Sequence, residues 1–236
     1  MIAGRRKAMG LTETLTLAVL LAVVVALVLS FADGALARGK DQMLARPCKP
    51  SETCTASWTL TSRLGQILAR YETMFGTRDR TLPLLGIEFT TASNPSIWYP
   101  KFSNGRDAII IQLTKAARYD QRRALFQLAH EAFHLISPIA PGSRASVLEE
   151  GLATYFAIDF CAEIGLDVGP GYIRDPKYRA AYDDIVRLAE VTPQFTATVK
   201  RLRGRTGSFS DLSAKELRAV FPALSAQQAS ALLKRF

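Results

Sequence analysis

Both histidines of this 236-residue chain fall within five consecutive positions, His130-Glu131-Ala132-Phe133-His134. The stretch lies in YDQRRALFQLAHEAFHLIS, where apolar residues return at helical spacing, so a helix is expected over Asp120 to Ser137. On a helix, residues four apart stand one turn above the other on the same face. Two imidazoles placed this way can bind one metal ion. Glu131, one position round the helix, is badly placed to ligate but can reach water beside that ion. Zinc held by two histidines takes a third protein ligand and keeps one position open for water. A fold built on this feature therefore buries the helix and brings a third ligand to it from elsewhere in the chain. The competing reading, two satisfied core histidines, needs no such partner.

A partner is available downstream. Ser146-Val147-Leu148-Glu149-Glu150-Gly151-Leu152-Ala153 opens a second apolar helix, expected over Ala145 to Ile164, with both acids in its first turn. Either carboxylate can complete the site if the two helices pack together, and Gly151 permits close approach of the two backbones. The connection Pro138 to Ser143 holds two Pro and one Gly, as an abrupt reversal requires. Without a metal, Glu149 and Glu150 would simply be favourable charges at a helix N-terminus.

The rest of the chain reads as α+β, a helix and a small sheet followed by a helical half. Trp58 to Phe75 has Leu60, Leu64, Ile67, Leu68, Tyr71 and Met74 at helical spacing. Extended stretches follow at Leu84 to Thr91, Ser96 to Phe102 and Ala108 to Leu113, the last two separated by the hairpin signal Ser103-Asn104-Gly105-Arg106. Further helices are expected at Pro176 to Val191 and in shorter pieces from Phe195 onward. Ser213 with Glu216 and Ser225 with Gln228 have capping-box spacing at the starts of the last two.

Residues 1–37 read as an address rather than part of the fold. Arg5, Arg6 and Lys7 precede an apolar run from Leu15 to Ala32, and Ala35-Leu36-Ala37 offers small residues for signal peptidase. The run suits either a cleaved signal peptide, leaving an exported domain that begins at Arg38, or a retained single-pass anchor. Both place residues 38–236 outside the cytoplasm as one domain, residues 38–118 carrying the first helix and sheet and residues 119–236 the helical part. Export permits a local Cys48–Cys54 bridge. Cys161, in an apolar stretch, reads as a buried free thiol.

HEAFH followed by EEGLA resembles the gluzincin superfamily of zinc metallopeptidases, which includes thermolysin and the aminopeptidase N type enzymes. The resemblance runs from Ala108 to Glu163 and implies a zincin-like fold holding one Zn²⁺. It implies His130, His134 and Glu150 as zinc ligands, with Glu149 as neighbour, and Glu131 as general base for zinc-activated water attacking a peptide bond. It also implies that Ala108 to Leu113 is the edge strand that pairs with an extended peptide or protein substrate. The oxyanion donor in such enzymes is a Tyr or His from later in the chain. No His remains here, which leaves Tyr172, Tyr178 and Tyr182. The interval from His134 to Glu150 is shorter than in the best-known members, and no G-x-M-E-N stretch marks a free substrate N-terminus, so the expectation is a compact endopeptidase.

With Lys plus Arg at 30 against Asp plus Glu at 21, the net charge is +9, and acidic partners are favoured. Lys200, Arg201, Arg203, Arg205, Lys215, Arg218, Lys234 and Arg235 outnumber Asp211 and Glu216 near the end. On an exported chain this reads as a solvated basic face for anionic membrane or cell wall, not as a nucleic-acid reader. The alternative function is a non-catalytic, metallopeptidase-like binding or adaptor domain using that face. Glu131 argues against it, because a non-catalytic domain has no need of a general base.

Overall fold

The structure, a computed structural model, describes residues 59–102 and 107–236. The leader, Cys48, Cys54, Trp58 and the turn Ser103–Arg106 lie outside the described residues. Among the described residues no helix is long and apolar enough to cross a membrane. Among the described residues the architecture is α+β, with a three-stranded mixed sheet and seven α-helices.

Helix α1, Leu60–Phe75, begins at Thr59, whose hydroxyl accepts the Ser62 N–H at 3.1 Å while the Ser62 hydroxyl accepts the Thr59 N–H at 2.8 Å. This reciprocal pair satisfies donors that the first helical turn leaves free. Its buried stripe is Leu64, Ile67, Leu68, Tyr71 and Phe75. Met74, expected in that stripe, is only half-buried, and Phe75 takes the core position instead.

Strand β1 is Leu84–Thr90, β2 is Ser96–Trp98 and β3 is Ile109–Thr114, in the order β1-β3-β2. β1 runs parallel to β3, from Leu84 opposite Ile109 to Thr90 opposite Thr114, and β2 runs antiparallel to it, with Ile97 opposite Ile111. β1 and β2 thus form an opened pair into which β3 inserts. This corrects the expected edge strand: β3 is hydrogen-bonded on both sides, and β1 and β2 are the two edges. β2 is also shorter than expected. Pro95 and Pro100 bracket it, and a proline has no N–H to give a ladder. Beyond it, only a single bridge joins Lys101 to Asp107.

A 3₁₀ turn, Lys115–Tyr119, delivers the chain from β3 into α2, Gln121–His134. Asp120 caps α2 by accepting the Arg123 N–H at 3.1 Å. Every residue from Gln127 to His134 is buried, so the second half of α2 is enclosed on all sides. Phe133 anchors it, with its ring centroid 5.5 Å from that of Phe75, 5.1 Å from Phe209 and 5.9 Å from Phe156. Helix α3, Val147–Glu163, packs along α2 and carries buried, unbridged Cys161 on its inner side. Burial pushes the Cys161 thiol up to about 12.

Helix α4, Pro176–Glu190, lies against the other flank of α3. A Cβ at Gly151 would stand 2.5 Å from the Ala181 carbonyl oxygen and 2.6 Å from Ile185 Cγ1. The glycine therefore serves the approach of α3 to α4, not to α2 as its position beside Glu150 predicted. The α2–α3 interface is filled by larger groups, the two imidazoles and Phe133.

Helices α5, Phe195–Thr206, α6, Ala214–Val220, and α7, Ala226–Leu232, complete the fold. Both expected capping boxes, Ser213 with Glu216 and Ser225 with Gln228, are formed. Arg203 is no part of a solvated face. Its guanidinium donates to the carbonyls of Phe75, Thr77 and Ile136 at 3.1, 2.8 and 2.8 Å, stapling the ends of α1 and α2. Finally, residues 234–236 form a strap across the start of α3: Val147 N–H donates to Lys234 O and Phe236 N–H to Ala145 O, both at 2.9 Å.

Candidate metal centre

Helical arithmetic on α2 stacks His130 and His134 one turn apart, and the packing of α3 brings its first turn against them. His130 Nε2 lies 3.1 Å from Glu150 Oε2, and His134 Nε2 lies 3.4 Å from His130 Nε2 and 3.7 Å from Glu150 Oε2. Donors bound to one zinc at about 2.0–2.1 Å in tetrahedral directions stand about 3.3 Å apart. All three residues are buried, and together they form a group that could hold a metal ion.

The rings are fixed from behind. The Nδ1–H of His134 donates to Glu149 Oε1 at 2.8 Å, and the Ser210 hydroxyl donates to the other oxygen of that carboxylate. The Thr154 hydroxyl donates to the Glu150 carbonyl at 2.9 Å, so its oxygen is free to accept from His130 Nδ1 at 3.3 Å. These partners assign the Nδ1–H tautomer to both rings and leave both Nε2 lone pairs facing the Glu150 carboxylate. Three acceptors converging on one point call for positive charge between them. Glu149 thus stands behind His134, while Glu150 shares the cluster with both Nε2 atoms.

The electrostatics agree. Burial opposes charge on His134, yet the adjacent Glu150 and Glu149 carboxylates outweigh it and hold its pKa well above the ordinary histidine value. Burial would raise Glu150, but His134 and His130 hold its carboxyl far below the usual range. Both shifts mark a site that attracts a cation.

Glu131 is buried beside the cluster. Burial raises its pKa, Glu150 adds to the rise, and the two histidines partly offset it. Among the described residues its carboxylate makes no hydrogen bond, and its oxygens are not among the fully enclosed atoms left without a partner.

Of the three tyrosines considered from sequence, the structure brings one to the centre. The Tyr178 ring centroid lies 5.7 Å from that of His130 and 4.6 Å from that of Phe236. Burial, then the Glu150 and Glu131 carboxylates, push its pKa up. Tyr172 turns away, donating its hydroxyl to Asp120 at 3.4 Å, and Tyr182 packs on Tyr155 with ring centroids 6.3 Å apart. Sequence reasoning missed Tyr99, which follows β2 and is pushed up to about 12 by burial and by Glu149 and Glu131. It also missed Ser210 and Thr154. Thr154, four residues after Glu150, was findable by helical spacing. Ser210 lies 61 residues from its partner with no local pattern to mark it.

A cavity of about 630 Å³ opens beside the centre. Its walls are the Thr91–Pro95 loop, the start of α2 and the segment around Tyr172, and it meets the centre at His130, Thr154 and Tyr178. Glu131, His134 and Glu150 do not line it. No family model, no curated protein and no solved structure matches the chain.

Proposed function

We propose that this protein is a zinc-dependent metallopeptidase of the gluzincin kind, a compact endopeptidase with a zincin-like fold, acting outside the cytoplasm by virtue of its leader. The observation that carries the reading is the pairing of two features. The ligand atoms of two imidazoles and one carboxylate converge within 4.8 Å of one another, and the Glu131 carboxylate lies beside them in the same buried cluster, its pKa raised by burial and by Glu150. A carboxylate beside a metal-binding set, with its pKa raised by burial, fits a group that exchanges protons with water and substrate.

His130, His134 and Glu150 would hold the ion, a nitrogen and carboxylate set that suits zinc. Zinc in such a set supplies Lewis-acid activation of water and of the scissile carbonyl. Glu131 takes a proton from the attacking water as the new C–O bond forms, then delivers it to the amide nitrogen as the C–N bond breaks. Tyr178 donates its hydroxyl to the oxyanion that develops on the carbonyl oxygen. The free edge of β2, which leads through Tyr99 towards the centre, can pair with the backbone of an extended peptide.

The test uses purified protein with metal analysis and a peptide-cleavage assay. About one zinc per chain is expected, with Glu131→Gln keeping the zinc and losing hydrolysis. Tyr178→Phe should keep both zinc and KM while kcat falls by about 10²-fold or more. Wild-type protein that binds no metal would sink the centre and the mechanism together. Zinc without hydrolysis of any peptide would favour the non-catalytic adaptor. Export is read separately from the N-terminus of the mature protein, expected at Arg38 if the leader is cleaved.

A further inference from the structure

We propose that the cavity beside the centre binds a carboxylate of the peptide substrate, through Lys115 and Arg174. This rests on the peptidase reading above and is tested so that the two can fail separately. Five charged side chains border the cavity: Lys115, Asp120, Arg123, Arg174 and Asp175. Both acids are committed to their own helices. Asp120 caps α2, lies 3.6 Å from Arg123 Nε and receives the Tyr172 hydroxyl. Asp175 caps α4 by accepting the Lys177 N–H at 2.8 Å. Arg123 is matched by Asp120. Lys115 and Arg174 are left over, with no hydrogen bond or ion pair among the described residues.

Lys115 and Arg174, both exposed and without a partner among the described residues, put net positive charge on the cavity rim, and the protein wall behind them focuses that field into the cavity. The cavity borders the centre at His130, Thr154 and Tyr178, close enough for a substrate held at the centre to extend a side chain or terminus into it. A carboxylate there is attracted and an ammonium or guanidinium is repelled. The aromatic wall of Phe126 and Tyr172, whose ring centroids lie 6.5 Å apart, suits the aliphatic stem of an acidic side chain. The carboxylate has two sources, an Asp or Glu side chain or the free C-terminus of a peptide.

The experiment compares zinc-loaded protein on matched peptides that carry Glu, Gln or Lys at each position around the cleaved bond, each with a free or amidated C-terminus. At one position, or at the C-terminus, loss of the carboxylate is expected to lower kcat/KM about tenfold, mostly through KM, with the effect shrinking at raised salt. Which arm responds, the side chain or the C-terminus, identifies the source. Lys115→Glu with Arg174→Glu should make the Lys peptide the preferred one. The milder Lys115→Gln with Arg174→Gln pair should erase the carboxylate advantage, and circular dichroism verifies folding of both. Equal handling of all peptides by the wild type, or an advantage that survives charge reversal, overturns the proposal. Should no peptide be cleaved, the peptidase reading fails. The cavity is then judged by direct binding of the same peptides, and equal affinity for carboxylate and amide forms overturns it.

Discussion

At the scale of single residues, the centre depends on a relay that begins outside both of its helices. Ser210, in the connection between α5 and α6, holds the Glu149 carboxylate, and Glu149 holds His134 through Nδ1. Fixing the tautomer and orientation of a ligating imidazole in this way sharpens metal binding, and loss of such a partner costs about 10- to 100-fold in affinity. Ser210→Ala is therefore expected to weaken zinc binding about tenfold in competition with a chelator, with folding and metal-saturated KM unchanged. Ser210→Thr, which keeps the hydroxyl, should restore part of it. An unchanged affinity would show that Glu149 holds His134 without help. The residues of the centre divide by legibility along the same line. His130, Glu131 and His134 were readable because helical spacing alone sets their relation. Glu150 was readable as an acid near the start of the next helix, but its separation in role from Glu149 needed the packing of α3 on α2. Ser210 was not readable, because only the tertiary fold brings its loop to the site.

At the scale of elements, α3 is gripped on two sides that ask for different things. Towards α2 it presents Glu150 and Phe156, and towards α4 it presents Gly151, with room for no side chain at all. Gly151→Ala sets a Cβ against the backbone carbonyl of Ala181, which cannot move aside as a flexible side chain would. Destabilisation of about 1–3 kcal/mol is expected, read as a lower midpoint in denaturant. Zinc affinity should fall in parallel, because Glu150 is the adjacent residue. A variant as stable as wild type would mean that α3 and α4 can separate freely. Element type was largely legible: the helical periods, the two capping boxes and the strand stretches lie where the sequence places them, except that β2 ends at Trp98 instead of Phe102. Strand order was not. Sequence proximity and the hairpin signal pair β2 with β3, but nothing local says that β3 also pairs with β1 and so ceases to be an edge. Pro100 was the overlooked mark that β2 must stop early.

At the scale of the whole molecule, the centre joins two helices that otherwise meet through packing and the bonds between their side chains. Anything that binds the folded chain and not the unfolded one adds stability, by about 2.7 kcal/mol when free ligand is a hundred times its Kd. Removing the metal with a chelator should therefore lower the melting temperature, and stoichiometric zinc should restore it. A melting temperature indifferent to chelator would rule out a metal bridging α2 and α3. The charge of +9 also reads differently at this scale. Arg203 is turned inward as a staple, and Arg218 and Arg235 donate to the carbonyls of Leu224 and Arg144. Part of what the composition offers as a basic surface also ties the fold together, Arg203 from a half-buried position and Arg218 and Arg235 from exposed ones. The strap formed by residues 234–236 bears on timing. The backbone just before the turn that carries Glu149 and Glu150 finds its partners in residues 234–236, far along the chain, so a ribosome must deliver residue 236 before that turn is fully braced. A chain synthesised only as far as α3 carries both histidines and both acids but lacks the strap that braces the turn holding those acids.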